Sequence, residues 1–205
     1  GGEVIFSALH LYHNTVKTVS QAKSSDDYID ILSIYSNMTI NESILSPFQT
    51  GSITINDSND MVPDYPIAGG NIVHLTYNVQ DGPPETEIDS WFRVVNVKNV
   101  IINERKQAYT LQLISEDGWK NMHTVLTSAF SGQPSEMITK IFSQYLNAGD
   151  KRLATDASVG GLKLVCPHWK PSQAISWIAN KALSATTDSP GFFFYETMRG
   201  FRFLS

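Results

Sequence analysis

At 205 residues, 41% hydrophobic and 17% charged, the chain has an ordinary globular composition and length enough for two compact units, which excludes disordered and collagen-like classes. The net charge of −5 is unevenly spread: residues 1–116 carry 6 Lys+Arg against 14 Asp+Glu, and residues 117–205 carry 9 against 6. No apolar run is long enough for a transmembrane helix, and a single cysteine, Cys166, excludes an internal disulfide framework and a CxxC metal site.

Gly1-Gly2 opens the chain with no Met and no basic-then-apolar leader pattern, and reads as a trimmed start. Residues 4–19 supply one strand or two. Residues 30–40 alternate as a strand with Leu32, Ile34, Met38 and Ile40 on one face and Ile31 and Tyr35 on the other. After a turn, residues 52–56 place Ile53 and Ile55 inward and Ser52 and Thr54 outward. Residues 71–79 alternate again, Val73, Leu75, Tyr77 and Val79 against His74, Thr76 and Asn78. Two long strands, 91–102 and 107–115, flank the polar stretch Asn103-Glu104-Arg105-Lys106, which closes a hairpin. Six or so such strands predict a sandwich or partly closed barrel, because packing or closure hides the edges. The loops 61–70 and 80–90 interrupt it. Loops of that length in a compact domain usually serve a purpose, and Pro63, Tyr65, Asp81, Glu85, Glu87 and Asp89 are the expected contacts to a neighbouring subunit.

The composition changes at Asp117-Gly118, and the expected domains are 1–116, all β, and 117–205, α+β. In 134–147 the residues Met137, Ile138, Ile141, Phe142, Tyr145 and Leu146 recur at helical spacing, with Pro134 suited to the first turn. A second helix opens at Lys170-Pro171-Ser172-Gln173 and is expected to run to about Ala185, its apolar face formed by Ile175, Ile178 and Ala182 beside Trp177. Residues 191–196 and 201–204 form a hairpin around Met198-Arg199-Gly200. Phe203-Leu204-Ser205 stops inside an apolar strand pattern, so more chain is expected after it.

The candidate chemistry is thin. Cys166-Pro167-His168 has the residue types of a nucleophile and its base, but nothing supplies a third, orienting group, and with Trp169 and Pro171 alongside it reads as a packing corner. His10 and His13 are three apart, as helical zinc ligands can be; Leu9, Leu11 and Tyr12 suit a strand, which would separate them, and two ligands are too few. Asp81, Glu85, Glu87 and Asp89 lack the glycine and closing glutamate of a calcium loop and read as a solvated acidic loop. Asn37-Met38-Thr39, Asn41-Glu42-Ser43 and Asn56-Asp57-Ser58 match the glycosylation pattern without a secretion signal to give it meaning. Gly69-Gly70 and Gly160-Gly161 lack the spacing and lysine of a phosphate loop and read as turns. Phe192, Phe193, Phe194, Tyr195, Phe201 and Phe203, with Arg199 and Arg202 among them, could stack bases; a hairpin must bury one face, and packing of Phe192, Phe194, Phe201 and Phe203 on the helix of Ile175 and Ile178 is the reading preferred here. No catalytic, metal or cofactor site is expected. A carbohydrate- or receptor-binding β-module would need exposed loop aromatics, for which Trp91 and Tyr65 are the candidates.

Two runs carry a family resemblance. The order strand, N-E-S-I, loop, G-S-I-T-I-N-D resembles the first domain of baseplate hub proteins of tailed bacteriophages. The runs S-G-Q-P-S-E-M-I-T-K-I-F, C-P-H-W-K-P-S-Q-A-I-S-W-I-A-N-K-A and G-F-F-F-Y-E-T-M-R-G-F-R-F resemble the α+β domain that follows it. The resemblance implies a tail-tube-like barrel, a homo-oligomer in which trimers make a pseudo-six-fold ring, and attachment to the tail tube on one side and a central spike or fibre on the other. It also implies a virion location in the tail baseplate after assembly in the host cytoplasm, a part in genome ejection, no enzymatic activity and no cofactor. In the family the barrel is duplicated later in the chain; only one is present here, so further sequence or six copies would complete the ring. A hub-like region can also precede a peptidoglycan-degrading domain, which is the alternative. An acidic first half suits a conduit wall to which DNA must not stick, and argues against sequence-specific nucleic-acid binding.

Overall fold

The computed structural model describes residues 4–57, 67–79, 87–103, 106–147, 151–186 and 191–205. The chain divides into two compact units, one of Gly1–Asn41 with Thr50–Ser115, the other of Glu42–Gln49 with Glu116–Ser205. Glu42–Gln49, expected within the first domain, thus groups with the second.

The first unit contains β1 (Val4–Tyr12), α1 (Val19–Ala22), β2 (Tyr28–Asp30), β3 (Tyr35–Asn41), β4 (Thr50–Asp57), β5 (Ile72–Val79), β6 (Ile88–Asn103) and β7 (Lys106–Ser115). Its strands form one sheet in the order β2-β1-β5-β6-β7-β4-β3. The β6–β7 hairpin forms as expected, but Asn103 and Lys106, expected in the connection, are paired strand residues. The 30–40 stretch differs from expectation: it is not one strand. The Asp30 carboxylate accepts the Leu32 N–H at 2.9 Å, and the Ile31 carbonyl accepts both Ile34 N–H and Tyr35 N–H. This local side-chain hydrogen bond competes with the ladder and makes a turn over 31–34. The turn sends Ile31 into the core at 0% exposure, while Leu32 and Ile34 remain half-buried.

That turn also closes the sheet. β2 and β3 are the two ends of the strand order, and six inter-strand steps in a flat sheet would put them about 29 Å apart. The chain from Asp30 to Tyr35 reaches at most about 17 Å. The sheet therefore curls until its ends approach. At the seam Ile31 N–H bonds to the Leu9 carbonyl of β1 and Asn56 N–H of β4 bonds to the Ile34 carbonyl, and the rings of Phe6 and Tyr35 meet edge-on at 5.6 Å. Inside lie Leu9, Leu11, Ile53, Ile55, Val73, Leu75, Phe92, Val94, Leu111 and Leu113. Gly51 of β4 is required by close approach, since a Cβ there would stand 2.6 Å from the Thr39 carbonyl oxygen.

A smaller apolar group, Tyr12, Val16, Ala22 and Ile72 with Tyr28 and Trp91 against it, lies where the 13–27 segment folds over the sheet. Thr18 caps α1, accepting from Gln21 N–H while the Gln21 side chain accepts the Lys17 and Thr18 N–H groups. The buried Arg93 guanidinium donates to the carbonyls of Gly70 and Lys17 at 3.0 and 2.9 Å, which pins both loops.

The second unit contains α2 (Glu116–His123), β8 (Ala129–Gly132), α3 (Pro134–Tyr145), β9 (Leu153–Thr155), β10 (Ser158–Val159), β11 (Leu162–Val165), α4 (Pro171–Ala179), β12 (Leu183–Ser184), β13 (Phe193–Thr197) and β14 (Gly200–Leu204). Three small sheets, β13-β14-β9, β11-β8 and β10-β12, accompany the helices, and β9 runs parallel to β14. The architecture is α+β. Each of α3 and α4 opens on proline in its first turn, where the missing N–H costs nothing. α4 ends at Ala179, not near Ala185 as expected: Lys181 and Ala182 N–H bond to Ile178 and Ala179 in tight turns, and Leu183–Ser184 then pairs with β10. Sheet pairing of those residues overrides the helical spacing.

Helices and sheets share a core rich in phenylalanine. Phe142 and Phe194 pack on Phe201 with ring centroids 4.9 and 5.4 Å apart, Phe192 stacks on Phe203 at 4.4 Å, and Phe48 meets Phe201 edge-on at 6.2 Å. The aromatic cluster at 192–203 therefore fills a core, with Phe193 alone of its phenylalanines largely exposed.

Candidate functional site

The expected contact residues Pro63, Tyr65, Asp81 and Glu85 lie outside the described residues. Glu87 accepts a hydrogen bond from the Ser7 hydroxyl at 3.2 Å, and Asp89 accepts one from His74 Nε2 at 2.8 Å. Both acids are thus engaged by their own sheet. Trp91, expected as a loop aromatic, lies within β6 and is half-buried.

Around Asp89 the sheet register assembles a row that no local motif announces. His10 of β1 stands directly opposite His74 of β5, and His74 opposite Trp91 of β6. The Tyr28 ring stacks on His10 at 4.0 Å, the two imidazoles are 5.7 Å apart, and His74 stacks on Trp91 at 4.1 Å and 15°. His74 Nε2 faces Asp89 and, at 3.3 Å, Thr76 Oγ1, while its Nδ1 is buried with no hydrogen-bond partner. Burial, then His74, push His10 below the ordinary histidine value, with Asp30 pulling the other way. The bond from His74 holds Asp89 below the usual carboxylate range, against the effect of its partial burial. Tyr12, beside this row, is raised chiefly by burial. His13, three residues on from His10, instead meets Thr15 and Asp27. Only pairing across strands could have revealed the His10–His74 contact, because its members are 64 positions apart and His74 reads locally as a solvent-facing residue.

In the second unit the Lys151 ammonium donates to Glu196 Oε1 at 2.7 Å and to Gln49 Oε1 at 3.0 Å, and Glu196 Oε2 accepts the Gln49 backbone N–H at 3.0 Å. The Glu196 side chain is 0% exposed. Glu42 accepts from the Gln49 side-chain amide and from Met198 N–H, both at 2.7 Å. This clasp ties Glu42–Gln49 to β13 and to Lys151, two residues before β9. A signal for it existed in the sequence: Glu196 shares the inward face of its strand with Phe192 and Phe194, where a lone carboxylate demands a cation.

Cys166 is buried in the core, and burial alone raises its thiol above the ordinary cysteine value. His168 is exposed and left-handed at φ 59°, so the backbone does not continue in the extended form that would aim both side chains the same way. The arrangement lacks the accessible thiolate that nucleophilic catalysis uses. An open groove along α3, lined by Ser135, Glu136, Thr139, Lys140, Ser143 and Thr155, holds no histidine or cysteine. The Thr139 and Ser143 hydroxyls there donate to carbonyls of their own helix. Among the described residues no three His, Cys, Asp or Glu side chains converge to hold a metal ion, and no helix is long and apolar enough to cross a membrane.

No family model and no curated sequence matches the chain. Solved structures do. The 43 kDa tail protein of prophage MuSo2 from Shewanella oneidensis superposes with a TM-score of 0.60 at 8% identity, over 97% of this chain and 54% of that one. The tail protein from Neisseria meningitidis MC58 superposes with a TM-score of 0.56 at 10% identity, over 96% of this chain and 49% of that one. The chain has the fold of these tail proteins. Identity this low speaks to fold and not to chemistry, and the chain spans about half the length of each. The tail-protein fold accounts for both units, because the likeness extends over nearly the whole chain.

Proposed function

We propose that the chain is a structural subunit of a phage tail, placed at the baseplate hub, where copies form a ring that joins the tail tube to a central spike or fibre and surrounds the DNA channel. The observation that carries this reading is the shared fold with two tail proteins over almost all of the chain. The hub placement rests on the resemblance of the 30–60 and 131–205 sequence runs to hub proteins. The ring is a homo-oligomer, trimeric with pseudo-six-fold symmetry, assembled in the host cytoplasm and carried in the virion.

Its mechanism is geometric and not catalytic. A curled sheet whose two end strands are joined by a short turn is a stiff wall element. The buried Cys166 thiol and the exposed His168 serve packing and not nucleophilic attack in this reading. Residues 1–116 carry eight more acids than bases, so a channel wall drawn from them gives passing DNA no counterion-release gain, and DNA slides without being held.

The test is mass in solution together with electron microscopy of the assembled protein, with three-fold or six-fold rings expected. A chain that stays monomeric at assembly concentrations and forms no ring would remove the hub reading. A titration of the ring with duplex DNA at low and high salt checks the channel: weak binding is expected, and tight, steeply salt-dependent binding would show basic residues along the path.

A further inference from the structure

We propose that His10 and His74 form an acid-sensitive clasp on the β1–β5 ladder of the first unit, closed when His10 is neutral and loosened when it takes up a proton. The pair belongs to a continuous row of rings, Tyr28, His10, His74 and Trp91, laid across four adjacent strands. Such cross-strand contacts are the unit of sheet stabilisation. Here that unit is built from side chains that change charge near neutrality.

Geometry fixes His74 in the row: its Nε2 faces Asp89 at 2.8 Å and its buried Nδ1 has no hydrogen-bond partner. A proton on His10 places a cation inside a ring stack and opposite His74. The charged and titratable groups around His10 are Tyr28 and Asp30 from β2, Tyr12 from its own strand, His74 from β5 and, beyond His74, Asp89 from β6; Asp26 and Lys23 of the 13–27 segment act on Tyr12 and Asp89. Of these, Asp30 is the group that favours the proton on His10, and it is exposed. Burial and His74 outweigh it.

The direction of the effect follows. The folded state binds the His10 proton less tightly than the unfolded chain does, so stability is full above pH 6.5 and falls as pH drops below it. Asp89, also lowered, loses its contribution only below pH 3.8, so the two steps separate. β1 and the short β2 it carries are the elements set free, since both strands depend on the side of the ladder where the pair sits.

The experiment is peptide-resolved hydrogen exchange on the full chain at pH 7.5 and 5.5, corrected for intrinsic exchange, with wild type and His10→Phe. Phenylalanine keeps the stack on Tyr28 and removes the proton. In wild type the opening constant of β1 is expected to rise about three- to tenfold on acidification, and in His10→Phe by less than about twofold, with α3 of the second unit unchanged in both. An equal rise in both proteins, or none in wild type, overturns the clasp. If His10→Phe does not fold, an NMR titration of the wild-type imidazoles decides: a His10 midpoint below the free-histidine value supports the clasp, and one at or above it refutes it.

Discussion

The two units hold themselves together by different means. The first holds seven strands to one another by a backbone ladder and curls them until the turn over 31–34, set by Asp30, joins the two ends. The second gathers three small sheets and its helices around stacked phenylalanines and fastens Glu42–Gln49 through a buried ion pair, the Glu42 carboxylate and Phe48. A ladder spread over seven strands tolerates the loss of most single side chains. A buried charged clasp does not, because removing either partner strands the other away from water.

The sharpest way to break this contrast is Lys151→Met. It removes the Lys151 ammonium from the fully buried Glu196 carboxylate, and should cost the second unit about 3–5 kcal/mol. Exchange of α3 and β13 should accelerate while β6 and β7 hold, and a loss under about 1 kcal/mol would show the pair to be ornamental. Lys151→Met with Glu196→Leu should recover part of the loss, since an apolar pair needs no charge compensation.

In the first unit the vulnerable point should be backbone. Gly51→Ala drives a methyl into the Thr39 carbonyl and the Ile40 side chain, with an expected loss of about 1–3 kcal/mol in urea unfolding. An unchanged midpoint would mean that β3 shifts freely and that the seam is softer than argued.

Smaller effects refine the picture. Cys166→Ala should cost on the order of 1 kcal/mol through packing alone and leave assembly intact. In the native protein Cys166 should react slowly with thiol reagents at pH 8 and rapidly in denaturant, because burial raises the thiol. Prompt native labelling would reopen the nucleophile reading. His168→Gly should be neutral or stabilising by up to about 1 kcal/mol, as glycine accepts positive φ without strain; a clear loss would reveal a contact for the imidazole.

Much of the first unit was legible because alternation reports strands directly, and β5, β6 and β7 fall close to where Val73, Phe92 and Leu111 place them. The 31–34 turn was not, since it depends on one aspartate bonding its own backbone within an otherwise apolar, alternating run. α4 was read too long because Ala182 continues the helical spacing even as Leu183 joins a sheet. The candidate site was the least visible part. His10 and Trp91 stood out separately, but their union through His74 is a property of register, and the membership of Phe48 and Gln49 in the second unit is a property of long-range packing.

That last membership has a genetic consequence. The second unit is not a continuous cassette: Glu42–Gln49 is written into the gene before most of the sheet that precedes the rest of the unit. A crossover near codon 116 that imported a foreign 116–205 would bring a new Lys151 and Glu196 to an inherited Gln49, and new phenylalanines to an inherited Phe48. Such exchanges should yield viable chimaeras only when the short upstream segment travels with its partners, so inheritance in this chain should show linkage between two stretches of sequence that lie far apart.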